Sequence, residues 1–246
     1  MAFSMAWQAG GVEPQAGGCA QDRLAGFRRV LYGCFTARKD ALFELADAVV
    51  CRVERVHMLA ELSLELECRR GHGAVYDAVS CGVVEVARLR RALAGLPLPA
   101  WDDGRIRLAA DVSNWLRPDA ETSAERLFCH CYARGRGNAQ MIPGWPYSLV
   151  AALEPGRTSW TLPLDMVRLG PADDATEVTA AQVREVVERI TEAGHWHAGD
   201  PDILVVFDSG YDLTRLAWLL ADLPVEIMGR LIGQQPRQPE IGRAHV

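Results

Sequence analysis

Asp202-Ile203-Leu204-Val205-Val206-Phe207-Asp208 is a run of five apolar residues closed by an aspartate and followed by Ser209-Gly210-Tyr211-Asp212. A run this short and apolar on both faces predicts a central strand covered by helices on both sides. A second stretch, Arg105 to Asp111, alternates Ile106, Leu108 and Ala110 with Arg107, Ala109 and Asp111, the two-residue period of a half-buried strand. Sheets of this type place their chemistry in the crevice beyond the carboxyl ends of their strands. Asp111 and Asp208, each closing a strand, therefore read as two carboxylates of a divalent-metal site.

The flanking sequence extends the pattern. Tyr147–Leu153 and Ser159–Leu169 read as two further strands, joined through Pro155-Gly156, a type II turn signal, into an antiparallel hairpin. A helix follows, with Thr179 and Gln182 as a capping box, Val183, Val186, Val187 and Ile190 as its buried stripe, and Gly194 as its end. Its outer face offers i,i+4 pairs between Arg184 and Glu188 and between Glu185 and Arg189. Beyond Asp208, Asp212 is placed to cap a helix over Leu213–Leu220, and Val225–Met228 completes a right-handed crossover to a parallel neighbour. The order β-β-β-α-β-α-β over residues 101–231 is that of a ribonuclease-H-like mixed sheet lacking its last helix.

Residues 1–20, with Gly10-Gly11, Pro14 and Gly17-Gly18, show no periodicity and read as a flexible leader. Residues 21–98 read as a small all-helical domain. Leu24, Phe27, Leu31 and Phe35 recur at helical spacing, then Ala41 to Val49, then Met58, Leu59, Leu62 and Leu66. A short helix through Val75 and Val79 and another from Val86 to Leu96 follow, and Pro97 to Trp101 marks the domain boundary.

The chain has 246 residues, 49% of them apolar, enough for packed cores and unlike a disordered chain. No apolar run approaches the roughly 20 residues a membrane helix needs, and the amino terminus lacks a secretory pattern, so a cytoplasmic location is expected. Seven scattered cysteines without a Cys-x-x-Cys pair fit reduced thiols. The net charge of −6 argues against a simple nucleic-acid coat. Local arginine clusters can still meet phosphate in an acidic, metal-binding domain.

Five stretches carry a family resemblance: Leu108-Ala-Ala-Asp111-Val-Ser, Arg134-Gly-Arg136-Gly-Asn138-Ala-Gln140, Pro143-Gly-Trp-Pro-Tyr-Ser148, Arg168-Leu-Gly-Pro-Ala-Asp-Asp174 and Val205-Val-Phe-Asp208-Ser-Gly-Tyr. With them the chain, over residues 21 to about 231, resembles a DDE-superfamily transposase of the kind encoded by bacterial insertion sequences. The resemblance implies two Asp and one Glu holding two Mg²⁺ (or Mn²⁺) ions, which activate water or a 3′-hydroxyl against a DNA phosphodiester. It also implies DNA partners, transposon ends and target, self-association on DNA and no membrane. Asp111 and Asp208 match two of the three carboxylates. Two bare carboxylates about 4 Å apart would repel by roughly 4 kcal/mol at an effective dielectric near 20, a cost that a shared cation reverses. Oxygen donors suit Mg²⁺ or Mn²⁺.

Neither Glu226 nor Glu240 matches the family's Glu, and Glu240–Val246 reads as an in-frame translation of a sequencing-library adapter. Residues 232–246 are thus expected to be an artefactual tail on a truncated chain. The alternative to an enzyme is a catalytically dead DNA-binding remnant; a third reading is an unrelated metal-dependent nuclease or phosphatase.

Several other motifs have two readings. Arg134 and Arg136, in the long connection before Tyr147, either contact the DNA backbone or are solvated. Arg69 and Arg70, ahead of His72 and the arginines Arg88, Arg90 and Arg91, either belong to a DNA-reading helix-turn-helix or form a solvated face. Cys129-His130-Cys131 lacks the second cluster that a zinc site needs. His195 and His197 read as helix-end residues, Trp145-Pro146-Tyr147 as packing more than base stacking, and Asp173 and Asp174 as loop residues before the capped helix.

Overall fold

The computed structural model describes residues 20–120, 122–132, 139–208 and 210–229. The chain divides into two compact units, Met1–Leu93 and Ala94–Val246.

The first unit contains α1 (Ala20–Cys34), β1 (Phe35–Ala37), α2 (Lys39–Cys51), α3 (Leu59–Leu62), α4 (His72–Cys81), β2 (Val83–Val84) and the start of α5 (Val86–Ala94). The expected helices are joined by an antiparallel two-stranded sheet, Phe35 pairing with Val84. Glu85 N–H donates to Cys34 O across it at 2.7 Å. The helix expected from Met58 to Leu66 shrinks to the single turn of α3. Of its stripe only Leu62 is buried, while Met58 and Leu66 are 58% and 95% exposed and have no core to drive them into register.

The second unit has a six-stranded sheet: β3 (Arg107–Leu116), β4 (Leu127–Tyr132), β5 (Ala139–Leu153), β6 (Thr161–Arg168), β7 (Ile203–Phe207) and β8 (Val225–Gly229). α6 (Ala175–Glu192) lies between β6 and β7 in sequence, and α7 (Leu213–Leu219) between β7 and β8. The strands run β6-β5-β3-β7-β8 across the sheet, with β5 antiparallel to β3 and β6, and β3, β7 and β8 parallel. This is the expected ribonuclease-H-like order. β4 is an addition within the predicted long loop. It pairs with residues 139–144 of β5, on the edge that β6 occupies further along.

Both crossovers, β6-α6-β7 and β7-α7-β8, step the same way across the sheet, so one handedness brings both helices to one face. Leu108, Ala110, Val150, Ile203, Val205 and Phe207 from that face meet Val183, Val186, Val187 and Ile190 of α6 and Leu216 of α7 in a single core. The expectation of helices over both faces is corrected: among the described residues α6 and α7 share one. Arg184 joins them by donating to both Asp222 carboxylate oxygens at 2.7 Å and to Leu219 O, and so does not form the i,i+4 pair read from sequence.

Ile190 is fully buried at the centre of this packing. Ile190→Ala is expected to lower unfolding stability by about 2–5 kcal/mol, through lost transfer energy and the cavity left behind. Urea denaturation of the purified chain measures it, and a loss under 1 kcal/mol would mean that α6 does not pack as described.

Candidate active site

Register places the two sequence-predicted aspartates together. β3 and β7 are parallel neighbours in which Ala110 is the Cα partner of Phe207, so the next residue on each strand is Asp111 and Asp208. β7 ends there, while β3 continues to Leu116. Alternation turns Asp111 away from the helix-covered face occupied by Leu108 and Ala110. Asp111 is exposed by area. Partial burial of its carboxyl nevertheless raises its pKa above the ordinary aspartate value, the Val112 N–H donating to its Oδ1 opposes this, and the charge of Asp208 adds to the rise.

The loop after Asp208 is pinned on both sides. Tyr211 N–H donates to Asp208 O, and the Tyr211 ring meets Phe207 edge-on at 5.2 Å. Asp212 caps α7 by accepting from Arg215 N–H at 3.0 Å, as its position in sequence predicts. Arg215 then reaches back to Asp174 and Glu177 at the start of α6, so the amino-terminal turns of both helices are tied beside the carboxyl ends of β6 and β7. Asp174 is the true cap of α6, accepting from Thr176 and Glu177 N–H, and the Arg215 guanidinium holds its carboxyl below the usual range. The predicted capping box is thereby corrected: Thr179 and Gln182 lie inside α6, fully or almost fully buried.

Their partner is Ser148 of β5. Ser148 Oγ donates to Gln182 Oε1 at 2.7 Å and lies 3.2 Å from Thr179 Oγ1, and Gln182 Nε2 donates to Ser148 O at 3.1 Å. The Tyr211 hydroxyl is buried beside this cluster without a hydrogen bond of ordinary geometry. Burial raises its pKa, and the charges of Asp111 and Asp208 raise it further. A polar anchor therefore lies under the strand ends, from residues that sequence reasoning assigned elsewhere. The available signal was the position of Tyr211 only three residues beyond Asp208.

No third carboxylate joins the pair among the described residues, which contain no cluster of three or more His, Cys, Asp or Glu able to hold a metal ion. Glu226 pairs in register with Leu204, four residues before Asp208 along β7, and is ion-paired to Arg105. Asp173 accepts from Gly170 N–H. Glu240 lies outside the described residues, as do Arg134 and Arg136. In the other unit, Arg70 is held by Asp40 at 3.0 Å and Glu44 at 2.6 Å, and Arg69 is exposed. Arg88 donates to Gly33 O, and β2 fills the connection between α4 and α5. Cys131 Sγ bonds Cys129 O, and His195 Nε2 lies 3.0 Å from Ala94 O. The six described cysteines are free thiols, and no helix among the described residues is long and apolar enough to cross a membrane.

The sequence profile of the DDE superfamily endonucleases matches residues 30–240, most of the chain and both aspartates. The chain belongs to the DDE superfamily endonuclease family. No curated protein matches this chain in sequence. Among solved structures it is similar to the piggyBac transposase in a synaptic complex with hairpin DNA, at 12% identity and a TM-score of 0.39, over 94% of this chain and 46% of that one. It is also similar to the Drosophila P element transposase in a strand transfer complex, at 12% identity and a TM-score of 0.28, over 85% and 48%. The chain thus spans about half the length of each.

DDE endonucleases use divalent cations, and the chemistry of the two adjacent oxygen donors fits a hard ion of this kind. The raised pKa of Asp111 has a consequence for stability. Folded Asp111 holds its proton more tightly than the unfolded chain, whose carboxyl titrates near 3.8. The native state therefore binds more protons between that value and the folded pKa, and stability falls as pH rises through this window. Thermal melting of the metal-free chain is expected to show this fall, and Asp111→Asn is expected to remove part of it. A profile identical in the variant would mean that the Asp111 carboxyl is not strained.

Proposed function

We propose that this chain carries the catalytic sheet of a transposase-type DDE endonuclease, with Asp111 and Asp208 as two ligands of bound Mg²⁺ or Mn²⁺ and DNA phosphodiesters as substrate. The register step from Ala110 and Phe207 to Asp111 and Asp208 carries the reading, because it brings two carboxylates side by side on adjoining parallel strands. Bound divalent cations would supply Lewis-acid activation of the attacking oxygen and neutralise charge on the leaving one. The chain's own part is to hold the two carboxylates in place. β3 and β7 fix their spacing, and the Tyr211–Asp212 turn and the Ser148–Thr179–Gln182 cluster fix the strand ends.

Exposed Arg69, together with Arg134 and Arg136, would supply phosphate contacts, and self-association would bring two DNA ends together. A noncatalytic DNA-binding role is favoured by one observation, the lack of a third acidic ligand among the described residues. Nicking of supercoiled DNA with Mg²⁺ or Mn²⁺ separates the two. Metal-dependent nicking that Asp111→Asn abolishes supports the endonuclease; DNA binding without nicking supports the remnant.

A further inference from the structure

Beyond Asp111 the sheet builds a surface that the metal site does not use. β3 runs on from Asp111 to Leu116, six residues past the level at which β7 stops, bonded there to β5. Alternation puts Asp111, Ser113 and Trp115 on one face, together with their Cα partners Leu149, Tyr147 and Trp145 on β5. The Trp115 ring lies 6.4 Å from that of Trp145 and 6.3 Å from that of Tyr147, and Trp115 remains 57% exposed. The β4 side adds Phe128, which pairs with Pro143 on the same face and is 51% exposed. Arg126, two residues before Phe128, stands over its ring at 5.1 Å. Among the described residues no carboxylate pairs with Arg126, and its Nε is buried without a partner. One further step of the β4–β5 register places Arg126 beside Trp145.

We propose that Trp115, backed by Trp145 and Tyr147 and flanked by Phe128 and Arg126, is a stacking platform for unpaired bases of the DNA strand whose phosphodiester lies at Asp111 and Asp208. This rests on the endonuclease reading and names where the substrate strand runs. Continuity with the site supports it: Trp115 is four residues from Asp111 on the same face, about 13 Å at 3.3 Å per residue. That is about four base steps of 3.4 Å along a stacked strand. Aromatic side chains accept the π-face of any base, which suits a strand held without regard to sequence. The guanidinium of Arg126, which donates to Ser123 O and meets no carboxylate among the described residues, is complementary to a phosphate and would be costly against an apolar protein partner. A large tryptophan left this exposed in a row with other aromatics indicates an occupant.

The test uses the full chain with short single-stranded and duplex oligonucleotides containing 2-aminopurine, read by fluorescence quenching and anisotropy. The single-stranded probe is expected to be quenched. Trp115→Ala should abolish the quenching and weaken single-strand affinity about 10-fold or more, with a smaller loss for duplex. Trp115→Phe should retain part of both, which a folding defect would not allow, and melting temperatures check the fold. Unchanged quenching and affinity in Trp115→Ala would overturn the platform. So would wild-type binding with no quenching, or loss of self-association in sedimentation with DNA affinity intact, which would assign the face to a second copy. Asp111→Asn is expected to keep the quenching while losing nicking. If that variant nicks normally, the endonuclease reading falls whatever the outcome for Trp115.

Discussion

Replacing either aspartate by asparagine, Asp111→Asn or Asp208→Asn, is expected to reduce Mg²⁺-dependent DNA cleavage by on the order of 10³-fold or more while leaving DNA affinity within a few-fold of the wild type. The size follows from removing a charged ligand at the point where transition-state charge accumulates, where even a single neutral donor is worth on the order of 10²–10³ in rate. Asparagine keeps the shape and removes the charge that holds the cation. The same variants should respond differently to metal in melting experiments. Wild-type protein is expected to gain stability from Mg²⁺ or Mn²⁺ by mass action, about 2.7 kcal/mol at a hundred times the dissociation constant, and each variant should lose most of that gain. Without metal, Asp208→Asn should be no less stable than the wild type, since it removes the neighbouring charge that raises the Asp111 pKa. Cleavage persisting at the wild-type rate in either variant would take that residue out of the active site.

The largest loss of stability is expected from Arg189→Met, about 3–5 kcal/mol, or a fall in melting temperature of roughly 10 °C. Asp165 on β6 has a fully buried side chain, and Arg189 on α6 reaches it while also donating to Glu185 at 3.2 Å. Removing the guanidinium takes the positive partner away from a carboxylate in the core, and less of its desolvation is then offset. The double variant Asp165→Leu, Arg189→Met should recover much of the loss, because a matched apolar pair avoids burying charge. A double variant as unstable as the single one would show that the damage is steric and not electrostatic.

The parts of the fold legible in sequence are those with an unbroken period. Ile203–Phe207 is apolar at every position and does become a central strand, and the stripe from Val183 to Ile190 does face the core. The boundaries failed where one residue type serves two purposes. Thr179 and Gln182 have the spacing of a capping box, yet three-residue spacing inside a helix also lines up side chains on one face, and here that face meets Ser148. β5 starts at Ala139, earlier than the Tyr147 read from sequence, because Pro143, Gly144 and Pro146 interrupt the strand pattern without ending the strand. Their carbonyls still serve the sheet, Pro143 O accepting from Arg117 N–H and Pro146 O from Leu169 N–H. β1 and β2, three and two residues long, are too short to show a period at all.

At the site, Asp208 was legible because it closes β7, while the reading of Asp111 as a strand end is corrected: it lies within β3, which runs on to Leu116. Their juxtaposition needed the register between β3 and β7, which no local pattern encodes. Trp115 was legible in principle: it follows Asp111 by four residues in an alternating strand and so shares its face. Its exposure was not, since that depends on which face of the sheet α6 and α7 cover.

The most direct measurement is anomalous diffraction at the manganese edge from crystals grown with Mn²⁺. One strong peak is expected within about 2.0–2.3 Å of carboxylate oxygens from both Asp111 and Asp208. A peak bound to one of them alone, or no peak between them at saturating Mn²⁺, would contradict the assignment of these two carboxylates as a shared cation site.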